Sequence, residues 1–193
     1  QLKLELLHLV SENNRGERPL EVLSTDRREK YFREMGVARF GLLHPIPAWE
    51  AFGRGIQSAV DDDIRIDCVL HRASLASITY SFAAAKRCID EAKYLAETIG
   101  NAELKKTLVR RITVREANLA RAQGDLKLAC ETFDRVLDHK ARVPLDGDAA
   151  VACVDAFIDF GSTQSAYLEK ALYLAELNSS HFDRENSIHE ASR

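Results

Sequence analysis

The run Leu108–Leu137, LVRRITVREANLARAQGDLKLACETFDRVL, decides the fold. With Leu104 one turn earlier, Leu108, Ile112 and Leu119 return to one side at steps of four, four and seven, the spacing of an amphipathic helix. Gly124 interrupts where a left-handed C-terminal cap costs little. Asp125 follows, placed to accept from the exposed backbone N–H groups that open a second helix. That helix carries Ala129, Phe133, Val136 and Leu137 on one stripe. The run therefore reads as a helical hairpin. Neither of its helices can bury its apolar side alone, so it needs packed neighbours.

Composition agrees with helix. Of 193 residues, 46% are hydrophobic and 30% charged, enough for both a core and a solvated surface. Aromatics are 7% and Gly and Pro are few, against a sandwich or barrel. A net charge of −3 gives no general affinity for nucleic acid or membrane. No apolar run reaches the roughly 20 residues that span a bilayer. No signal peptide is seen and the first residue is Gln1, so the expectation is a domain cut from a longer cytoplasmic or nuclear protein. Cys68, Cys88, Cys130 and Cys153 are scattered on expected helices without metal-ligand or paired spacing, which points to buried reduced thiols.

Along the chain, residues 1–13 form a Leu-rich helix with Leu2, Leu6, Leu9 and Val10 on one side. Asp26-Arg-Arg-Glu29 has the spacing of a capping box, opening a helix to about Leu43. His44-Pro45-Ile46-Pro47 breaks that helix, and Pro47 suits the first turn of the next, Ala48 to about Val60. Asp61–Asp63 caps a helix reaching about Tyr80, and its partner runs from Phe82 to Ile99. Gly100 ends that partner and Asn101 caps the helix of the opening run. After Pro144–Asp148 come helices over about 149–160 and 163–177, joined by Gly161-Ser162.

These helices repeat in register. In the second helix of each hairpin a small-large-small pattern pairs Ala48/Phe52/Gly55 with Ala85/Ile89/Ala92, Ala129/Phe133/Val136 and, less well, Gln164/Leu168/Ala171. The spacings are 37, 44 and 35 residues. In the first helices the small residue falls at Gly36, Ala73, Ala117 and Ala152, with the same series. The chain thus resembles the tetratricopeptide family over about Arg28–Leu177, although its repeats are uneven where the family's run about 34 residues. The resemblance implies an all-α, right-handed α-α superhelix of about four hairpins (27–60, 64–99, 102–140 and 148–177) plus an N-terminal helix. They form a single domain over 1–178, with 179–193 a polar tail.

In that register the first helices line a concave groove. Arg111, Arg115 and Asn118 of the third hairpin face it, with Arg33 and His71 from the two before. The helix Leu104–Arg121 holds six basic residues against one acid, Glu116. Chaperone-binding members of the family clamp a peptide's terminal carboxylate with Lys, Arg and Asn at such places. Arg111 and Arg115 match the basic half of that clamp, while Val37 and Ser74 stand where amides would help. An acidic peptide or helix, held by guanidinium forks, is the expected partner. The competing reading pairs these arginines with acids of neighbouring hairpins, such as Asp67 or Asp146. Trp49, beside the Pro-rich turn, is placed either to anchor a partner or to pack on the preceding hairpin.

No nucleotide-binding loop, nucleophile elbow or H-E-x-x-H occurs, so the reading is not of an enzyme, with no catalytic residue, metal or cofactor. It is of a protein-protein interaction scaffold within a larger complex. Two rivals stand beside it: a regulatory sensor whose curvature responds to a peptide or small effector, and nucleic-acid binding through helix 104–121, which predicts steep salt dependence.

Overall fold

The computed structural model describes residues 25–137, 147–161 and 164–177. The expected helix over 1–13, the link containing Pro144 and Asp146, and the tail 179–193 lie outside them. The described residues are helical, with no strand among them: α1 (Thr25–Gly41), α2 (Pro45–Ser58), α3 (Asp62–Ile78), α4 (Phe82–Glu97), α5 (Ala102–Ala122), α6 (Leu126–Val136), α7 (Gly147–Gly161) and α8 (166–177). No described helix is long and apolar enough to cross a membrane.

The helix boundaries follow local chemistry. Pro45, not Pro47, opens α2, because the first helical position needs no N–H from proline. Asp61 caps α3 by accepting from Asp63 N at 3.1 Å, Asn101 caps α5 by accepting from Glu103 N and Leu104 N, and Asp125 caps α6 through Leu128 N at 3.0 Å. The expected capping box at Asp26–Glu29 is not how Glu29 is used. The chain is already helical at Thr25, and the buried Glu29 carboxylate accepts from Val60 N at 2.7 Å and Asp61 N at 3.1 Å. It thereby satisfies the link between α2 and α3.

Three helix ends share one geometry. Leu43, Tyr80 and Gly124 have φ of 59°, 57° and 84°, the left-handed region. At each, that residue's N–H reaches the carbonyl three back, and the next N–H reaches the carbonyl five back: Leu43 to Phe40 with His44 to Arg39, Tyr80 to Ser77 with Ser81 to Ala76, and Gly124 to Arg121 with Asp125 to Ala120. These are Schellman closures, each followed by a new helix within two residues. Their spacings, 37 and 44, repeat the first two steps of the sequence register. The α1–α2, α3–α4 and α5–α6 hairpins are thus three copies of one turn.

The chain divides into two compact units, 1–112 and 113–193. In the first, neighbours in sequence are neighbours in space: α1 packs on α2, α2 on α3 and α3 on α4. Close approach is set where side chains are smallest. A Cβ on Gly36 would lie 2.4 Å from the Phe52 ring, and one on Gly55 would lie 2.8 Å from Cys68 Sγ. Phe52 is fully buried there with Ala48, Ile64, Cys68 and Leu75 around it. Burial of such a ring contributes about 2–3 kcal/mol.

In the second unit Val114 and Ala117 of α5 pack with Cys130, Phe133 and Val136 of α6 and with Cys153, Ala156 and Phe157 of α7. Phe133 and Phe157 meet edge to face at 6.5 Å. The last hairpin follows the expected register at Ala171 but not at Gln164 or Leu168. Gln164 is exposed and Leu168 is 45% exposed; Ala171 and Leu174 are buried, with Tyr167 packed beside them. Likewise Ala152 is only half-buried, whereas Gly36, Ala73 and Ala117 are buried.

Candidate functional site

Three of the five expected groove residues converge on one carboxylate. Arg33 Nε of α1 donates to Asp67 Oδ2, Arg111 Nη2 of α5 donates to Asp67 Oδ1, and His71 Nε2 lies 3.7 Å from Oδ2. Asp67 is 5% exposed. Each arginine also holds a second acid: Arg33 binds Glu34 at 2.9 Å and Arg111 binds Asp63 at 3.2 Å. His71 stacks flat on Phe52, centroid to centroid 4.9 Å. Burial opposes charge on Asp67, but Arg111, His71 and Arg33 outweigh it and hold its carboxyl below the ordinary carboxylate value. Burial likewise works against the Arg33 cation, and Asp67 overcomes it, so its pKa is raised.

The carboxylate expected from a peptide thus has an internal counterpart, one of the two acids the sequence nominated. Both Asp67 oxygens are engaged, and the cluster ties α1, α3 and α5 together within the first unit. Arg115 and Asn118 belong to the second unit, where both are half-buried on α5. Elsewhere on the basic helix, Arg121 binds Asp155 at 3.6 Å and Asp159 at 3.0 Å.

A different surface of the first unit is open. A groove of about 440 Å³ runs between α2 and α4 over α3. Pro45, Ile46, Trp49 and Glu50 form one wall, Leu75, Ala76 and Thr79 the floor, and Ser81 with Ala84 the other wall. Its volume is within the roughly 300–1,000 Å³ typical of binding clefts, and its lining is mostly apolar. Of the lining residues Ile46 is 72% exposed, and Leu43 and Tyr80, in the turns that adjoin the lining in sequence, are 84% and 78% exposed. Leu43 and Tyr80 also occupy left-handed positions, where a side chain costs roughly 1–2 kcal/mol relative to glycine. The third hairpin puts Gly124 in that place.

Trp49 is half-buried in this wall, and the Arg72 guanidinium of α3 lies over its ring at 3.9 Å. Arg72 Nε is buried, and no described residue accepts a hydrogen bond from it. Sequence reasoning found Trp49 but missed Arg72, which stands alone in the sequence, without the basic neighbours that mark helix α5. It also missed Leu43 and Tyr80, although counting 37 and 44 residues along the register places both opposite Gly124.

All four thiols are free and buried. Burial pushes Cys68 up to about 12 and Cys130 up to about 11, and it also raises Cys88 and Cys153. Compared with protein-family models, with curated proteins and with solved structures, the chain shows no match.

Proposed function

We propose that this chain is a protein-interaction module of helical hairpins, a scaffold element that holds an acidic peptide or helix of a partner, in the cytoplasm or nucleus. The tetratricopeptide-like superhelix is part of the same proposal, and the common turn at Leu43, Tyr80 and Gly124 supports it. The observation that carries the reading is the apolar groove along Ile46 and Trp49, with exposed Leu43 and Tyr80 in the turns next to its lining residues in sequence. Contiguous apolar surface of this kind marks interaction sites, and a lone tryptophan beside it is the residue type most often dominant in binding. The arginines of the basic helix whose partners are given above, Arg111 and Arg121, face internal acids instead of forming a continuous phosphate track, which favours protein over nucleic acid.

The test is selection of displayed random 12-residue peptides on the wild-type chain, followed by measurement against Ile46→Asp. Ile46 is exposed, so the variant keeps its fold and its melting temperature. The proposal predicts binders that weaken at least about tenfold on the variant, since burying an unpaired carboxylate in an apolar cleft is costly. Selection that yields no Ile46-dependent binder contradicts it.

A further inference from the structure

We infer that Arg72 is the carboxylate receptor of the Trp49 groove. Its occupant is an amphipathic segment of a partner protein, apolar side against the groove and an Asp or Glu on Arg72. The inference rests on the groove reading above and names the chemistry that selects the occupant.

Position is the first argument. Arg72, Leu75, Ala76 and Thr79 fall at steps of three, four and seven on α3, so Arg72 continues the face that floors the groove by one further turn. Its guanidinium lies against Trp49, which forms the wall, and within 3.8 Å of where a Cβ on Gly53 would be. The absence of side chain at Gly53 leaves room for it.

Unmet bonding is the second argument. Arg33 and Arg111 hold Asp67, Arg65 holds Asp62 and the Ala59 carbonyl, and Arg39 donates to the Pro47 carbonyl. Arg72 makes its ring contact, acts electrostatically on Cys88 and leaves a buried donor without an acceptor among the described residues. Natural structures rarely leave such a donor unmatched. With Nε buried, the groups left to grip a carboxylate with two parallel bonds are the two terminal Nη nitrogens, which the indole face orients. Glu50 lines the α2 wall, is exposed and forms no ion pair with Arg72, so the Arg72 guanidinium over Trp49 is left as the cationic partner for an occupant. An apolar segment with one acidic residue matches this polarity.

The turns that adjoin the lining are the third. Leu43 and Tyr80 hold left-handed backbone that glycine fills at the third turn, yet they present large side chains to solvent beside Pro45, Thr79 and Ser81 of the lining. Unfavourable backbone maintained under exposed apolar side chains is characteristic of a surface that something covers.

The chain has one tryptophan, so its emission reports on this groove alone. A peptide from the selection above that carries Glu, and its Gln analogue, are titrated into wild type, Arg72→Gln and Arg72→Lys while Trp49 emission is read. The Glu peptide is expected to bind wild type about tenfold more tightly than the Gln peptide, with a saturable emission change. The preference disappears in Arg72→Gln and is reduced in Arg72→Lys, which keeps the charge without the fork and guards against loss of fold. Equal binding of the two peptides to wild type, or a preference that survives Arg72→Gln, overturns the inference while groove binding stands. If no Ile46-dependent peptide exists, both proposals fall. A wild-type dimer in sedimentation that Ile46→Asp disperses, or competition by a synthetic peptide of residues 1–13, assigns the groove to another occupant and overturns it too.

Discussion

An added methyl group at Gly36 would sit 2.4 Å from the Phe52 ring, and neither the helix backbone nor the enclosed ring has room to yield. Gly36→Ala therefore gains about 1 kcal/mol in helix propensity but incurs roughly 1–3 kcal/mol of overpacking. Urea unfolding should show a net loss, and an unchanged midpoint would contradict the close contact. Asp67 behaves differently. Its folded pKa is depressed, so its contribution is complete above the ordinary carboxylate value near 3.8 and is lost as pH falls through the lower folded value. Asp67→Asn should cost about 2–3 kcal/mol near neutral pH, less than a fully buried pair because Arg33 and Arg111 remain 37% and 30% exposed. The gap between wild type and variant narrows in acid, and a gap independent of pH would contradict this. All four thiols are buried with raised pKa values, so a thiol-disulfide reagent at pH 8 should react only after denaturant is added. Rapid reaction of the native chain would contradict that burial.

At the scale of the element, the turns make a prediction of opposite sign at equivalent places. Leu43→Gly and Tyr80→Gly relieve left-handed strain and should each stabilise by roughly 0.5–1 kcal/mol, net of glycine's greater unfolded-state entropy. Gly124→Ala should destabilise by about 1 kcal/mol. Thermal melts of the three variants check this, and changes of one sign in all three would contradict the shared turn. Helices α3, α5 and α6 were legible because Asp61, Asn101 and Asp125 act within three residues of the groups they satisfy. Glu29 was not, because the N–H groups it accepts from are 31 and 32 residues away. In the last hairpin the small-large-small pattern Gln164/Leu168/Ala171 holds at Ala171, which is buried with Leu174, but Gln164 is exposed and Leu168 lies against Gly161 while still 45% exposed. Pattern alone does not fix how far each position is buried in a helix whose apolar residues surround it.

At the scale of the molecule, composition and periodicity were sufficient to read the helical, strand-free structure of the described residues. The division between Ile112 and Thr113 was not legible, since it falls inside the uninterrupted helix α5, with no Gly, Pro or loop to mark it. The candidate site was legible in part. The basic excess on α5 is real, and Asp67 was among its nominated counterions, but the choice between internal acid and external peptide depends on approaches across 34 and 44 residues. The groove at Trp49 required three helices in place before Arg72 could be seen to lack an acceptor. The Asp67 carboxylate thus meets Arg33 and Arg111 internally, and the apolar groove at Trp49 is open. The most direct measurement of that claim is cross-linking: a selected peptide carrying a photoreactive phenylalanine, bound to the full chain, irradiated and mapped by mass spectrometry. The account predicts cross-links on α2, α3 and α4 between Pro45 and Ala84, on the groove face. Cross-links concentrated at Arg33, His71 and Arg111, or at Arg115 and Asn118, would contradict it.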